Sequence, residues 1–298
     1  MPSQCKGPDM VSPNHRHAKT IFITGASSGI GRATARHFMD KGWNVIATMR
    51  DTAAAPAWMA DPQALVLRAD VTERDSLGDA LRAALSVFGA IDVMFANAGY
   101  GLNGPLEGAT EAQMRHQFDV NVLGVVRTIQ TVAPHMRERG GGTILVTSSI
   151  GGRIGMPAAP FYIASKHAVE GMVESARFEL KPFGIRLKLI EPGGIRTDFS
   201  RRSAAWTDHP AYATTIAAAQ RMAIDLLETM PGPETVAKVV FTAAQDRSDR
   251  LRYPARPGPY LLLHKLLPDR VWRSMIEGAL YRAARHTAPP AAPDALEA

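Results

Sequence analysis

The sequence predicts a doubly wound α/β domain, a parallel sheet covered by helices on both faces, with a helical extension at its C-terminal end. Three observations lead there. Short apolar runs alternate with segments of helical period from residue 19 onward. The first of these runs passes directly into a glycine-rich turn. No internal repeat or long linker interrupts the alternation before about residue 250. Parallel neighbours need crossover connections, and the helices that make them cover the sheet.

Taken in order, Lys19–Thr24 (KTIFIT) is too short for a helix and reads as a buried strand, followed by a helix over Ile30–Lys41. Trp43–Thr48 and Ala64–Ala69 supply the second and third strands. Between Glu73 and Phe88, the residues Leu77, Leu81, Ala84, Leu85 and Phe88 share one helical face. Ile91–Ala96 is the fourth strand, Thr110–Met136 a long helical region and Thr143–Thr147 the fifth strand. A helix over Ala164–Leu180 and a strand over Ile185–Ile190 follow. Residues 19–250 are expected to form one domain and 251–285 a helical extension. In the extension an apolar run, 261–267, stops at Pro268, and Asp269 is a suitable N-cap. Beyond it Val271, Trp272, Met275, Ile276, Ala279 and Leu280 recur at helical spacing.

Residues 1–18 hold three prolines and no apolar stretch, so they read as a disordered leader rather than a signal peptide. Residues 286–298 read as a disordered tail. A single cysteine, Cys5, excludes an internal disulfide framework, and a reducing, cytoplasmic setting is the expectation. No run approaches the ~18 apolar residues of a spanning helix. The nine histidines show no ligand spacing, so no metal site is expected. The net charge of +6 is confined to residues 247–285, which hold nine of the 34 Lys/Arg and three of the 28 Asp/Glu. A basic stripe on the main fold is therefore missing, and no nucleic-acid partner is expected.

The turn after the first strand is Gly25-Ala26-Ser27-Ser28-Gly29-Ile30-Gly31. Gly25 permits a tight turn, Gly29 lets the backbone approach a pyrophosphate, and Gly31 lets helix and strand pack closely. The phosphates would sit on the N-terminus of the following helix. Enzymes of this Rossmann-like fold that use NAD place an acid at the end of the second strand to bind the ribose 2′-hydroxyl. Here that position is Met49, with Arg50 after it, and Asp51 comes one residue too late. Arg50, helped by the Ser27 hydroxyl, points to a 2′-phosphate and so to NADP(H) over NAD(H).

Tyr162 and Lys166 are four apart and share a helical face. Ser149 lies at the end of a strand thirteen residues earlier, Asn121 lies within the long helical region, and Asn97-Ala98-Gly99 ends the fourth strand. Singly, each has a plainer explanation in turns and solvated edges. Together, in this order, they resemble the short-chain dehydrogenase/reductase family over residues 19–200. Asp70-Val71 after the third strand, Pro192-Gly193 and Thr197 belong to the same pattern. The segments 47–51, 97–107 and 144–152 resemble the 17β-hydroxysteroid and retinol dehydrogenase branch.

The resemblance implies an alcohol dehydrogenase or ketoreductase in which Tyr162 is the acid/base. An unperturbed tyrosine has a pKa of ~10, and Lys166 beside it would favour the phenolate. Ser149 would orient the substrate oxygen, and Asn121 would organise a water in the proton relay. The expected cofactor contacts run from Gly25, Ser27, Ser28, Gly29, Ile30 and Gly31 through Arg50, Asp70 and Val71. They continue with Asn97, Gly99, Tyr162, Lys166, Pro192, Gly193, Ile195 and Thr197. Asp70 is expected near the adenine and Thr197 at the carboxamide. Leu102, Met156, Trp206, Tyr212 and Ile216 are candidates to line an apolar pocket with Ser149 and Tyr162, under a flap formed by residues 200–230. The expected substrate is an apolar alcohol or ketone.

Two other readings stand beside this one. A non-catalytic NADP-binding sensor or scaffold would be expected to lack Tyr162, Lys166 or Ser149. A membrane-peripheral protein would use residues 261–285, whose helix either packs on the substrate flap or rests on an anionic surface. The resemblance also implies a homodimer or homotetramer joined through Phe118, Val122, Val125, Val169, Met172, Val173 and Phe178.

Overall fold

The structure, a computed structural model, describes residues 18–197 and 204–285. The tail, all of the leader except Ala18, and the first part of the expected flap lie outside the described residues. The chain opens with β1 (Thr20–Thr24), α1 (Gly29–Met39), β2 (Asn44–Met49), β3 (Ala64–Arg68), α2 (Arg74–Phe88) and β4 (Val93–Ala96). Then come β5 (Gly101–Asn103), α3 (Glu111–Phe118), α4 (Gly124–Glu138), β6 (Gly142–Thr147), α5 (Pro160–Leu180) and β7 (Ile185–Pro192). β8 (Ala204–Trp206), α6 (Ala213–Thr229), α7 (Glu234–Gln245), β9 (Arg252–Ala255), α8 (Tyr260–Leu266) and α9 (Asp269–Arg285) complete the order.

Seven strands form one sheet in the order β3-β2-β1-β4-β6-β7-β9, and every pairing is parallel. Strand order reverses between β1 and β4, and in such sheets a ligand crevice opens beyond the carboxyl ends at that point. Side chains alternate between the faces. Phe22 and Ile46 pack with Leu77 and Leu81 of α2, Val132 of α4, and Val169 and Val173 of α5. Ile21, Ile23 and Val45 face Phe38 of α1 and Val236 and Val240 of α7. There Phe38 meets Phe241 edge to face at 5.0 Å.

Three features depart from the expected elements. The helical region from Thr110 divides at a π-helical segment, Asp119–Leu123, where Gly124 N bonds back to Asp119 O. Arg127 supports the wider turn, donating to Asp119 O and Val71 O, each at 3.3 Å. Helix α5 begins at Pro160, four residues early, because proline lacks only an amide that the first turn leaves unpaired anyway.

The sheet also runs past the expected boundary at residue 250, to β9. Its RYPA sequence has no apolar run to betray it. An edge strand tolerates Pro254, since the β7 amides of Leu189 and Gly193 donate to the carbonyls of Leu251 and Ala255. A buried lysine, Lys188, secures this edge by donating to Ala243 O at 3.1 Å and to the Tyr253 hydroxyl at 2.9 Å. Of the apolar residues expected at a subunit interface, Val125, Val169 and Val173 are spent in the sheet core, while Phe178 is exposed.

Candidate active site

The loop between β1 and α1 is built as its glycines suggest. Gly25 and Gly29 take positive φ, +69° and +51°, a region side chains avoid. A Cβ on Gly31 would stand 2.2 Å from Gly25 O, so only glycine lets the helix start this close to the loop. Ser28 caps α1 without a side-chain hydrogen bond, and no acid occupies the first turn. The amides and the helix dipole there are therefore left to an anion, which is what a dinucleotide pyrophosphate presents. Thr197 stands on the other side, its Cβ 3.5 Å from where a Gly29 Cβ would lie.

Asn97 ties this loop to the catalytic side. Its Nδ2 donates to Thr24 O at 3.1 Å and Gly25 O at 3.2 Å. Its Oδ1 accepts from Thr147 Oγ1 at 3.2 Å. Thr147 O in turn accepts from Lys166 Nζ at 2.8 Å. The four-residue spacing of Tyr162 and Lys166 on α5 places the ammonium 5.8 Å from the centre of the phenol ring. Ser149 caps the short turn after β6, with Oγ accepting from Gly151 N at 3.0 Å, and is hydrogen-bonded to the Tyr162 side chain.

The electrostatics follow from burial. Desolvation pushes the Tyr162 phenol above its ordinary value, and the Ser149 hydrogen bond offsets part of that. Burial pulls the Lys166 ammonium down to about 8, against the opposing charge of Glu170. Lys166 is 5% exposed. Asp70 goes the other way. Burial works to raise it, but hydrogen bonds from Thr72 and then the charges of Arg50 and Arg68 hold it below the usual carboxylate range.

The structure gathers Gly25, Gly29, Gly31, Asn97, Gly99, Asn121, Ser149, Tyr162, Lys166 and Thr197 around the carboxyl ends of β1, β4 and β6. Asn121 is buried in the π-helical segment with its side chain fully engaged. Nδ2 donates to Tyr100 O and Ser165 Oγ, and Oδ1 accepts from Tyr100 N. Its side chain thus positions the strand leading from Gly99 and the helix bearing Tyr162. Val71 packs against Gly124, and Ile195 packs on the core. Gly193 makes a close crossing, since a Cβ there would meet Arg256 O at 2.0 Å.

The expected pocket residues fall on one side. Leu102 is buried on β5, which pairs with β8 so that Asn103 stands opposite Trp206. Gly104 N donates to Ala158 O at 2.7 Å, joining β5 to the loop that carries Met156. Tyr212 donates to Glu107 Oε1 at 2.6 Å, and Ile216 is buried on α6. Thr147, Ser165, Gln117 and Glu170 were missed by the sequence reading. Gln117, whose Oε1 accepts from Leu102 N at 2.6 Å, lies four residues before Asn121 and was legible only as part of a helix.

Comparison with known proteins supplies the family. The sequence model of the short chain dehydrogenase family matches residues 19–208. An uncharacterised oxidoreductase of Schizosaccharomyces pombe is 35% identical over 207 residues, 70% of this chain and 87% of that protein. Human 17-beta-hydroxysteroid dehydrogenase type 1 is 38% identical over 251 residues, 78% of this chain and 76% of the relative. A short chain dehydrogenase/reductase from Burkholderia phymatum, solved in complex with NAD, superposes with a TM-score of 0.74 at 26% identity. That alignment covers 84% of this chain and 93% of the other.

The fold and the site define a nicotinamide-dinucleotide oxidoreductase of the alcohol/ketone class. The chain belongs to the short-chain dehydrogenase/reductase family.

Proposed function

We propose that this protein is an NADP(H)-dependent oxidoreductase interconverting a ketone or aldehyde with the corresponding alcohol on an apolar substrate. The observation that carries this reading is the hydrogen-bonded chain from Gly25 through Asn97 and Thr147 to Lys166, which sets Tyr162 and Ser149 beside the glycine loop. When bound, the nicotinamide cofactor supplies or takes up the hydride. Tyr162 supplies or takes up the proton on the substrate oxygen. Ser149 donates a hydrogen bond to that oxygen and orients it. Lys166 holds the nicotinamide ribose and favours the phenolate by its charge.

The preference for NADP(H) rests on the end of β2. Met49 is buried in the core and offers no acceptor to a ribose hydroxyl. Asp51 is committed to capping the next turn, accepting from Ala53 N at 2.9 Å. Arg50 is exposed and close enough to act on Asp70. The apolar character of the substrate is supported by Leu102, Met156 and Trp206 and by the hydroxysteroid named for the human relative. Initial rates with a panel of hydrophobic ketones and alcohols, using each cofactor in turn, test both points. Absence of turnover on the whole panel with NADPH bound would favour a sensor.

The assembly we propose is a homodimer or homotetramer joined through α3, α4 and α5, where Leu123 and Phe178 remain exposed. Light scattering at micromolar concentration tests this, and a monomer there would overturn it. We also propose peripheral membrane contact through α8 and the start of α9. No helix among the described residues is long and apolar enough to cross a membrane.

A further inference from the structure

Behind Lys166, on the side away from the glycine loop, lies a cluster of charges that the reaction scheme does not use. Glu170 is one turn further along α5 and only 4% exposed. Glu191, on β7, is 1% exposed. Arg252, on β9, reaches both. Its Nε lies 2.9 Å from Glu170 Oε2 and 3.5 Å from Glu191 Oε1, and its Nη2 lies 2.6 Å from Glu174 Oε2. Arg153, from the turn after Ser149, closes the group at 3.3 Å from Glu191 Oε1. Three carboxylates thus share two guanidinium groups, and Lys166 lies one turn before Glu170 on the same helix.

The geometry points to Glu170 as the positioning residue of the active site: clamped by Arg252, it keeps a carboxylate beside the buried Lys166 and so holds the ammonium charged for its work on Tyr162. Taking an ammonium out of water is costly unless an opposite charge accompanies it. Thr147 O is a single neutral acceptor. Glu170 is the counter-charge that acts on Lys166. Its Oε2 is taken by Arg252, while its buried Oε1 accepts no hydrogen bond from the described residues. Gly152 makes room for the carboxylate stem, since a Cβ there would stand 2.9 Å from Glu170 Cγ.

Tyr162, also on α5, has its ring centre 5.8 Å from the Lys166 ammonium. The charged groups of the cluster are Glu170 and Glu174 on α5, Arg153 in the turn after β6, Glu191 on β7 and Arg252 on β9, and of these Glu170 is the one whose charge acts on Lys166. Burial raises the Glu191 carboxyl, and the neighbouring charge of Glu170 raises it further.

This inference rests on the role given to Lys166 above, so its test reads Lys166 directly, with no cofactor or turnover. Protein labelled with ¹³C at the lysine ε-carbon gives one signal for each of its eight lysines. The Lys166 signal is assigned by its loss in Lys166→Met, and its midpoint is followed with pH. In Glu170→Gln, which keeps the shape and can still accept from Arg252, the midpoint should fall by ~1 pH unit or more. In Glu191→Gln it should stay in place. An unmoved midpoint in E170Q, or equal shifts in the two variants, overturns the assignment. If E170Q does not fold, Glu170→Asp carries the test, with a smaller fall expected and an unmoved midpoint again decisive. The proposed reaction fails separately, when the midpoints move as expected but wild type neither binds NADPH nor turns over.

Discussion

Asn97 and Lys166 are joined through one residue. Thr147 gives its hydroxyl to Asn97 Oδ1 at 3.2 Å and takes the Lys166 ammonium on its carbonyl at 2.8 Å. The glycine loop and Lys166 are thereby referenced to the same strand end, which in the proposed reaction would keep cofactor and proton donor in a fixed relation. Lys166 is held there at a cost, because burial draws its proton affinity down to about 8. Between that value and the ordinary lysine range the unfolded chain binds the more protons, so stability contributed at this site rises with pH. Lys166→Met removes the titration. Wild type should therefore gain thermal stability relative to K166M on going from about pH 7 to about pH 9.5, while K166M loses turnover and binds cofactor weakly. Parallel melting temperatures across that range would refute the burial of a charged lysine.

Tyr162→Phe keeps the ring packing and removes only the hydroxyl that bonds to Ser149. General acid–base catalysis contributes ~10²–10⁴ in rate. Turnover should drop by at least that factor, with NADPH affinity, read from cofactor fluorescence, largely unchanged. Activity within a few-fold of wild type would take the role away from Tyr162.

The proposed preference for NADP(H) rests on the end of the second strand. Met49→Asp, with Arg50 retained, puts an acid at the end of β2, the position at which NAD enzymes of this fold bind the ribose 2′-hydroxyl. Hydrogen bonds to charged groups contribute about 1.5–3 kcal/mol, so the ratio of kcat/KM for NADPH over NADH should fall by roughly ten- to a hundred-fold. A wild-type enzyme that already prefers NADH would show that Arg50 serves the solvent alone.

The parts of this molecule that were legible in the sequence are those where one residue type answers one local demand. The apolar run at 20–24 had to be a buried strand, and Gly31 had to be glycine because Gly25 O fills the place of its side chain. The proposed catalytic residues were legible through their order and spacing. What escaped depended on distant partners. The π-helical segment around Asn121 is held open by Arg127 reaching back to Asp119 and Val71, which no window of helical period reveals. Strand β9 escaped because its stabilising contacts, Arg252 to Glu170 and Lys188 to Tyr253, are polar and span tens of residues.

The C-terminal helices bear on both readings of that segment. Helix α9 packs on α6 with Trp272 buried, so one face is committed to the domain next to the expected substrate flap. Of the apolar stripe seen in the sequence, Trp272 is buried, Met275, Ile276, Ala279 and Leu280 are half-buried, and Val271 is exposed. The other side, at the junction of α8 and α9, leaves Leu262 61% and Leu266 67% exposed, four residues apart on one face, with Val271 exposed nearby. Lys265 and Arg270 flank them, both exposed, whereas Arg273 is paired with Asp269 at 2.8 Å. Exposed leucines beside unpaired basic residues suit the boundary of an anionic membrane, where each basic residue contributes ~1 kcal/mol and salt weakens it. Truncation is a poor test, because it would uncover α6 and, if made after Tyr253, would also cut β9. The better variant is Leu262→Ser with Leu266→Ser, which leaves Trp272 and the α6 contact alone. Wild type should sediment with liposomes containing anionic lipid, less so as salt is added, and not with neutral liposomes. The double variant should stay in the supernatant while melting at the same temperature. Equal sedimentation of the two proteins would leave α8 and α9 as a cover over α6 and nothing more.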